Sequence, residues 1–333
     1  MTALAGPSKS LAVVLLQLGG PGSLDEVQPF LENMFRDPDL FGLSLPSRVR
    51  DWLAHRLSVW RARSATDLYA AIGGRSPIRE TTLRQAAKLE RELVGELPCR
   101  VFVAMRYGAP STEEAVDAVR EAGCRRVLLL PLYPQFASAT TGSSMREWML
   151  RSREKGLVLA TEWIDSYYRD GGYIAAVAER VGQALQRFPG HATPPHLVFS
   201  AHGLPTRFVK QGDPYQQQVR ETVRLVCRAC PPGLDHTLCY QSRIGPQRWL
   251  KPGLVETLRN LGRDRVESVL VVPISFVSDH LETLSEINIE ARKIALESGI
   301  RQFETMTGLN DSPAFISALA TLVRSHPIAS LAR

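Results

Sequence analysis

The feature that most constrains the fold of this chain is a regular alternation of short apolar runs with longer amphipathic segments. The five clearest runs are rich in Leu and Val and span residues 11–18, 100–106, 126–132, 197–202 and 269–276. Such runs predict strands buried on both faces, because a strand with one solvated face would alternate apolar and polar residues. The sequence therefore predicts an α/β fold whose mostly parallel sheets are covered by helices.

The segments between the runs have the marks of helices. Residues 81–96 carry apolar residues at helical spacing, and Ser111 with Glu114 three residues later forms a capping box that starts the next helix. The two halves of the chain also resemble each other, since VLLLPLYP at residues 127–134 is echoed by VLVVPISF at residues 269–276. We predict two similar Rossmann-like halves with the active-site cleft between them.

The boundary between these halves is predicted from local composition. Pro and Gly concentrate in residues 189–195, which is typical of a linker. We therefore predict an N-terminal half over residues 1–190 that forms a ligand-binding lip, and a C-terminal half over residues 191–333 that carries the candidate catalytic residues.

Charge and hydropathy exclude several classes of protein. The formal charge is +6 and no nucleic-acid-binding motif is present, so a mildly basic enzyme with an acidic substrate is favoured over a nucleic-acid partner. No apolar run reaches the ~20 residues that a membrane span needs. The first ten residues contain Lys9 but no long apolar segment, which predicts a cytoplasmic protein without a secretory signal.

Polar residues follow several of the predicted strands, where an α/β fold exposes its ligand site. These residues are Arg106, Tyr133, His202 and Asp279. His202 lies in FSAHGLP, at the end of a buried strand and before a turn. Its imidazole, which titrates near neutrality, is therefore a candidate for proton transfer or metal binding. The alternative is a structural histidine hydrogen-bonded to the backbone.

An acidic segment follows the last buried strand. In residues 278–290 (SDHLETLSEINIE), a helix would place Glu282, Glu286 and Glu290 on one face at i, i+4 and i+8. Aligned carboxylates repel each other unless cations or protons bind between them. Glu282 is the favoured functional member, whereas a solvated acidic face is the favoured interpretation for the outer members, Glu290 first and then Glu286.

Together these residues predict a site for cations or protons. A nearby carboxylate steadies a charged imidazole, so His202 with Glu282 can hold a divalent cation transiently or relay protons. Asp279 and His280, just before Glu282, are candidate supporting members. The chain contains no HExxH, P-loop or GxGxxG motif, which disfavours zinc proteases and nucleotide-binding enzymes.

Residues 47–63 interleave five arginines with apolar side chains. The arginines are Arg48, Arg50, Arg56, Arg61 and Arg63, and the apolar residues are Trp52, Leu53, Leu57, Val59 and Trp60. This pattern predicts a helix that binds an acidic apolar ligand or the inner face of a membrane. An ordinary surface helix whose arginine stems cover apolar surface is the alternative.

Three of the five cysteines lie close together in the segment VCRACPPGLDHTLCYQ. Cys227, Cys230 and Cys239 are interpreted as one short loop, which in a reducing compartment indicates metal or iron–sulfur ligation rather than a disulfide. The candidates for a fourth ligand are His236, Cys124 and Cys99. A structural zinc held by the CxxC pair with His236 and Cys239, or three unligated thiols, are the alternatives.

Eight motifs in their order along the chain resemble the ferrochelatase family, whose members insert ferrous iron into a porphyrin. They are LLQLGGPGSLDEVQPFLENMFRDPDL, IGGRSPI, MRYGAPSTEEAV, LPLYPQFASATTGSS, FSAHGLP, GDPYQQQV, YQSRIGPQRWL and VPISFVSDHLETLSEINIE. The resemblance spans nearly the whole chain.

The resemblance implies roles for individual residues. His202 is implied as the catalytic histidine and Glu282 as the carboxylate that faces it, with substrate iron between them and His280 and Glu286 in support. The residues implied to line the porphyrin site or meet its propionates are Leu18, Arg61, Tyr69, Ser76, Arg106 and Tyr133.

The resemblance also implies substrates and a cofactor. The substrates would be Fe²⁺ and protoporphyrin IX, since Leu18 before GGP resembles the protoporphyrin-using members, whereas those acting on coproporphyrin III tend to carry Tyr in that region. A chelatase for another tetrapyrrole and a non-catalytic heme-binding or metal-binding protein are the alternatives. The grouped cysteines resemble the internal [2Fe–2S] site of some bacterial members.

Overall fold

The structure is a computed structural model and describes residues 11–38, 46–188, 194–242 and 247–331. Its framework is two four-stranded sheets in which every pairing is parallel. The first contains β1 (Leu11–Gln17), β2 (Cys99–Met105), β3 (Arg126–Pro131) and β4 (Ala160–Trp163). The second contains β5 (His196–His202), β6 (His236–Gln241), β7 (Ser268–Pro273) and β8 (Gln302–Thr305).

The two sheets have the same topology. Their strand orders are β2-β1-β3-β4 and β6-β5-β7-β8, so the first strand of each half lies between the second and the third. This confirms the predicted α/β fold with two similar halves. The carboxyl ends of all strands in a parallel sheet lie at one edge, which is where a ligand site forms in such folds.

Helices cover both faces of the sheets. The α-helices are α1 (Val27–Arg36), α2 (Ser47–Ala71), α3 (Ile78–Leu93), α4 (Thr112–Glu121), α5 (Ser143–Glu154), α6 (Gly171–Leu185), α7 (Thr206–Lys210), α8 (Tyr215–Ala229), α9 (Leu254–Arg263), α10 (Arg292–Glu297), α11 (Pro313–Ser325) and α12 (Pro327–Ser330). The predicted capping box at the start of α4 is confirmed, since Ser111 and Glu114 satisfy each other's backbone amides.

A π-helix follows the third strand of each half. Residues Ser138–Gly142 form one such turn after β3, and residues Glu282–Ala291 form a longer one after β7. The predicted α-helix over the acidic segment is therefore a π-helix, whose i→i+5 hydrogen bonds make each turn wider. π-Helical turns are frequent at functional sites, and both of these lie just after a strand, near the edge of the sheet where a ligand site forms.

One apolar core is shared by the two sheets. Leu15 and Leu130 of the first sheet belong to the same buried cluster as Phe199 and Leu270 of the second. Each outer face has its own core: Val14 packs with Trp148 on the first sheet, whereas Val198 packs with Leu258 on the second. Burying these side chains is the main term that stabilises the fold.

The five predicted strands are confirmed to within about two or three residues at each end, but three strands were missed. Two of these are short, β4 and β8, and the third is β6, which lies inside the segment interpreted as a cysteine loop. The core of the predicted linker, residues 189–193, lies outside the described residues. The division at residue 190 stays a prediction; α11, late in the chain, packs against α3 and α6 of the first half.

We expect the packing of α9 against the turn after α10 to depend on Gly262. A Cβ atom at this position would lie 2.1 Å from the carbonyl oxygen of Ser298, whereas one at Gly182 in α6 would meet nothing within 4 Å. Gly262→Ala should therefore lower the free energy of unfolding by about 1–3 kcal/mol. Gly182→Ala, the matched control, should raise it by about 0.5–1 kcal/mol. Equal denaturant midpoints for the two variants would contradict this packing.

Candidate active site

His202 and Glu282 meet at the carboxyl edge of the second sheet. His202 is the last residue of β5, and Glu282 begins the π-helix that follows the neighbouring strand β7. The Nδ1 atom of His202 lies 2.9 Å from Oε2 of Glu282. The two residues predicted to work together are thus in direct contact, although they are 80 positions apart in the sequence.

The position of the His202 ring is fixed by its surroundings. The backbone N–H of His202 donates to Oγ of Ser275 at 2.8 Å, and its carbonyl accepts from the hydroxyl of Tyr215 at 2.9 Å. The ring packs edge to face against Phe276, with centroids 5.9 Å apart. An imidazole held in this way keeps its Nδ1 edge toward Glu282.

Several donors converge on the same oxygen of Glu282. Besides His202, Nε2 of Gln241 lies 3.3 Å and Oγ of Ser242 lies 3.1 Å from Oε2. Gln241 is itself held by Ser200, whose hydroxyl donates to Oε1 of Gln241 at 2.6 Å. Convergent donors of this kind stabilise the ionised form of a carboxyl group.

The electrostatics of the pair follow from this contact. Burial alone would raise the pKa of Glu282, but the charge and the hydrogen bond of His202 lower it to about 2. Burial likewise would lower the pKa of His202, but the charge and hydrogen bond of Glu282 raise it above its usual range. The pair therefore favours an imidazolium beside a carboxylate, and metal binding at His202 must displace a proton.

Glu286 is linked to the pair through Ser242. The backbone N–H of Ser242 donates to Oε1 of Glu286 at 2.8 Å, and its Oγ lies 2.5 Å from Oε2 of the same carboxyl group. Burial and the negative charge of Glu282 raise the pKa of Glu286. Glu290, farther along the π-helix, is exposed, as the alternative of a solvated face predicts for the outer members of the row.

The two other candidate supporting residues have different surroundings. His280 is buried against Phe276, with ring centroids 4.3 Å apart, and burial lowers its pKa so that the neutral imidazole is favoured. The carboxylate of Asp279 accepts from the amide of Gly308 at 2.9 Å and from the side chain of Asn310 at 2.8 Å. Asp279 thus anchors the segment after β8.

Helices α1 and α2 form a lip beside the pair. Tyr69 of α2 is buried in a cluster against which Leu18 and Leu281 also pack. Burial, and then the negative charge of Glu282, raise the pKa of Tyr69. Ser76 supports the turn after β1, because its amide donates to the carbonyl of Pro21 at 2.9 Å. Leu18 and Tyr69 therefore belong to one apolar cluster close to Glu282, and Ser76 lies beside the turn after β1.

Arg106 is held by the protein's own carboxylates. Its guanidinium lies 2.8 Å from Oδ2 of Asp37 and 3.6 Å from Oε2 of Glu147, and its side chain is 14% exposed. The same Asp37 oxygen accepts from the hydroxyls of Tyr107 at 2.6 Å and Ser143 at 2.5 Å. Residues 140–144 (TTGSS) have the pattern of a helix N-cap or an anion cradle, and in the structure Ser143 of this segment donates its hydroxyl to the carboxylate of Asp37.

The other two residues implied to bind the porphyrin lie at different depths. Tyr133, just after β3, has a buried hydroxyl beside Ser144, and burial raises its pKa. Arg61 is exposed on α2, with its guanidinium 5.8 Å from the ring centroid of Trp60. Their roles toward a porphyrin stay predictions.

The structure does not bring the three cysteines into one group. Cys227 lies in α8 and Cys230 caps its end, and both pack against the core shared by the two sheets. Cys239 lies in β6 and points into the opposite face of the second sheet, with Val198 and Leu258. A sheet thus separates it from the other two thiols, so the interpretation as one short ligating loop is wrong.

The candidate fourth ligands do not complete a metal site with these cysteines. Cys99 and Cys124 lie in the first half, and His236 is exposed at the start of β6. Among the described residues, no three His, Cys, Asp or Glu side chains are arranged to hold a metal ion. The donor set does not fit a [2Fe–2S] cluster or a structural zinc at these positions.

Sequence analysis missed four residues that hold the pair, namely Tyr215, Gln241, Ser242 and Ser275. All four lie in motifs that carry the family resemblance, GDPYQQQV, YQSRIGPQRWL and VPISFVSDHLETLSEINIE, but the residues alone gave no reason to choose them. A signal was present for Gln241 and Ser242, since HTLCYQ has the composition of a buried strand and both lie at its carboxyl end.

Comparison with known proteins identifies relatives along nearly the whole chain. The family model described as ferrochelatase matches residues 10–327. A ferrochelatase of Citrifermentans bemidjiense is 43% identical over 318 residues, covering 96% of this chain and 99% of the relative. A ferrochelatase of a Synechocystis species is also 43% identical, over 94% of this chain and 81% of the relative.

Two solved structures have a similar fold. The sirohydrochlorin chelatase SirB from Bacillus subtilis subspecies spizizenii, in complex with cobalt, superimposes with a TM-score of 0.55 over 95% of this chain and 94% of that chain. CbiX, described as the terminal enzyme of siroheme biosynthesis in denitrifying bacteria, gives a TM-score of 0.51 over 95% of this chain and 98% of that chain. Their sequence identities are 13% and 12%, so these likenesses concern the fold alone.

Proposed function

This chain belongs to the ferrochelatase family, and from that membership we propose that it inserts Fe²⁺ into protoporphyrin IX to form protoheme, with release of two protons. The family assigns it to the metal chelatases that insert a metal into a porphyrin for heme biosynthesis. The observation that carries the proposal is the contact of His202 with Glu282 at the carboxyl edge of the second sheet. Iron is a substrate of this reaction.

The residues of the pair have complementary tasks in this reaction. Two pyrrole N–H protons must leave as the iron enters. His202 accepts one of them in its neutral form, which it reaches after losing the proton that its raised pKa favours. Glu282 stabilises the resulting imidazolium and offers a carboxylate oxygen to the metal. Both residues lie in a partly buried site, where charges act more strongly than in bulk water.

The lip provides the binding surface for the porphyrin macrocycle. We propose that Leu18, Tyr69 and Ser76 line the porphyrin site beside the pair, with Tyr133 deeper in the cleft. Exposed Arg61 would meet a propionate, since arginine pairs well with carboxylates. Arg106 would support the site indirectly, because its guanidinium already forms an ion pair with the carboxylate of Asp37.

The preference for protoporphyrin IX rests on the apolar character of the lip near β1. Leu18 and Leu281 both pack against the buried cluster that contains Tyr69, and this surface suits the vinyl groups of protoporphyrin better than the additional propionates of coproporphyrin III. We expect a higher kcat/KM for protoporphyrin IX than for coproporphyrin III in anaerobic assays with ferrous iron. A higher value for coproporphyrin III would refute this preference and support the alternative substrate.

The electrostatics of the pair set the expected pH dependence. His202 has a raised pKa, so iron must compete with a proton at neutral pH. We expect kcat/KM for Fe²⁺ to rise with pH through an apparent pKa above the usual 6.5 of histidine. Glu282→Gln should lower that apparent pKa, because burial then acts on His202 without the neighbouring charge. A profile that stays flat from about pH 6 to about pH 9 would contradict this coupling.

We also propose that the exposed face of α2 contacts an anionic membrane surface. Trp52 is 62% and Trp60 is 70% exposed, and Arg56 and Arg63 lie on the same side of the helix, opposite buried Ala54. Tryptophan and arginine together favour the interface of anionic lipid.

No helix of the described residues has the length and apolarity to span a bilayer. Sedimentation with anionic vesicles should exceed that with neutral ones, and a Trp52→Ser/Trp60→Ser variant that sediments like wild type would exclude this contact.

A further inference from the structure

Ser242 occupies an unusual place in the site. It follows β6, whose last residue Gln241 pairs in register with His202. Ser242 therefore lies beside the carboxyl end of β5. Its φ angle is 56°, in the left-handed region that residues with a Cβ atom rarely adopt. Glycine is the residue that this conformation favours, and a serine there retains a hydroxyl group.

The left-handed conformation aims both polar groups of Ser242 at the acidic row. The amide donates to Oε1 of Glu286 at 2.8 Å, and Oγ lies 2.5 Å from Oε2 of Glu286 and 3.1 Å from Oε2 of Glu282. One residue therefore contacts both carboxyl groups. The Glu282 oxygen that it contacts is the one beside Nδ1 of His202.

The backbone of Ser242 is itself held in place. The amide of Gly203, the residue after His202, donates to the carbonyl of Gln241 at 2.7 Å. A Cβ atom on Gly203 would lie 2.8 Å from the carbonyl oxygen of Ser242, so the two chain segments approach as closely as glycine allows. This packing ties the position of Ser242 to that of His202.

A cavity lies on the other side of Ser242. It has a volume of about 850 Å³ and is bounded by α9 and the π-helix, with Ser242 and Glu286 on its wall. Arg259 and Arg263 of α9 also line it. Without the contacts from Ser242, the carboxylate of Glu286 would be drawn toward these arginines and away from Glu282, because like charges repel and opposite charges attract.

We propose that Ser242 is a positioning residue for metal insertion, whose hydroxyl and amide fix the carboxyl groups of Glu282 and Glu286 relative to each other and to His202. This inference rests on the proposed function. Ser242 holds the two carboxyl groups that prepare the site for iron. It therefore acts on iron binding and turnover and leaves porphyrin binding unchanged.

The test is Ser242→Gly, which removes the hydroxyl while glycine adopts the same backbone conformation without strain. We expect kcat to fall about tenfold or more and KM for Fe²⁺ to rise, with KM for protoporphyrin IX and the melting temperature not impaired. Anaerobic titration of the porphyrin-free protein with Fe²⁺ should give a weaker Kd for the variant. Ser298→Ala, which removes a hydroxyl elsewhere on the same cavity, should behave like wild type.

Two results would overturn the assignment. The first is a Ser242→Gly variant whose kcat and KM for Fe²⁺ stay within about twofold of wild type. The second is a loss that affects KM for porphyrin and thermal stability as much as iron binding, which would mark a purely structural role. Absence of turnover in wild type would instead refute the proposed function. The Kd values for Fe²⁺ of wild type and Ser242→Gly would then still test the role of Ser242, since equal values would overturn it.

Discussion

Replacing His202 with alanine should lower the turnover number for iron insertion by about 10²-fold to 10⁴-fold, the usual contribution of a positioned acid–base group. The imidazole is the group that contacts Glu282, and its backbone contacts to Ser275 and Tyr215 do not depend on the side chain. The variant should therefore fold normally and still bind protoporphyrin. The measurement is the anaerobic rate of heme formation together with porphyrin affinity from fluorescence.

His196→Ala is the matched control for this substitution. His196 begins the same strand and contacts Thr237 at 2.9 Å, at the end of β5 remote from Glu282. We expect its turnover number to stay within about twofold of wild type. If His202→Ala kept wild-type turnover, or if His196→Ala lost as much activity, the catalytic role of His202 would have to be abandoned.

Replacing Asp37 with alanine should cost the largest amount of stability of any change considered. Its carboxylate is fully buried, and Arg106 lies against it with a side chain that is 14% exposed. Without Asp37 the Arg106 guanidinium keeps the more distant carboxylate of Glu147, 3.6 Å away, and breaking a buried ion pair costs about 3–5 kcal/mol. Tyr107 and Ser143 also lose their acceptor. The free energy of unfolding from denaturant titration measures this loss.

Two further variants separate the ion pair from other effects. Asp51→Ala removes a half-exposed carboxylate that lies 3.9 Å from Arg36, so we expect a change below about 1 kcal/mol. Asp37→Ala combined with Arg106→Met removes both charges and should be more stable than Asp37→Ala alone. A double variant no more stable than the single one would show that the unpaired guanidinium is not the source of the loss.

The fold was accessible from the sequence because buried parallel strands carry a strong apolar signal. Residues 126–132, for example, contain no polar side chain after the first, and β3 spans Arg126–Pro131. The same approach missed β6, because Cys239 was interpreted as a metal ligand from its spacing to the other cysteines. A buried cysteine packs much as a small apolar residue does, so it is equally compatible with a strand. The alternation that places Cys239 and Tyr240 on opposite faces of the sheet was the better guide.

The site was accessible in part. The strand-end rule brings His202 and the segment after β7 together, because both follow neighbouring strands of one parallel sheet. The surroundings of Arg106 were not accessible, since its partner Asp37 lies 69 positions earlier and follows α1, and no local pattern connects the two. The left-handed conformation of Ser242 could not be predicted either, because from sequence such a backbone is expected mainly at glycine.

The most direct test of the central claim is anaerobic incubation of the purified protein with protoporphyrin IX and ferrous iron. Loss of free-porphyrin fluorescence and growth of the heme spectrum would be followed together, with His202→Ala in parallel. We expect catalytic heme formation by wild type and a rate at least about 10²-fold lower for the variant. Binding of porphyrin without metal insertion by wild type would contradict the account and mark a binding protein instead.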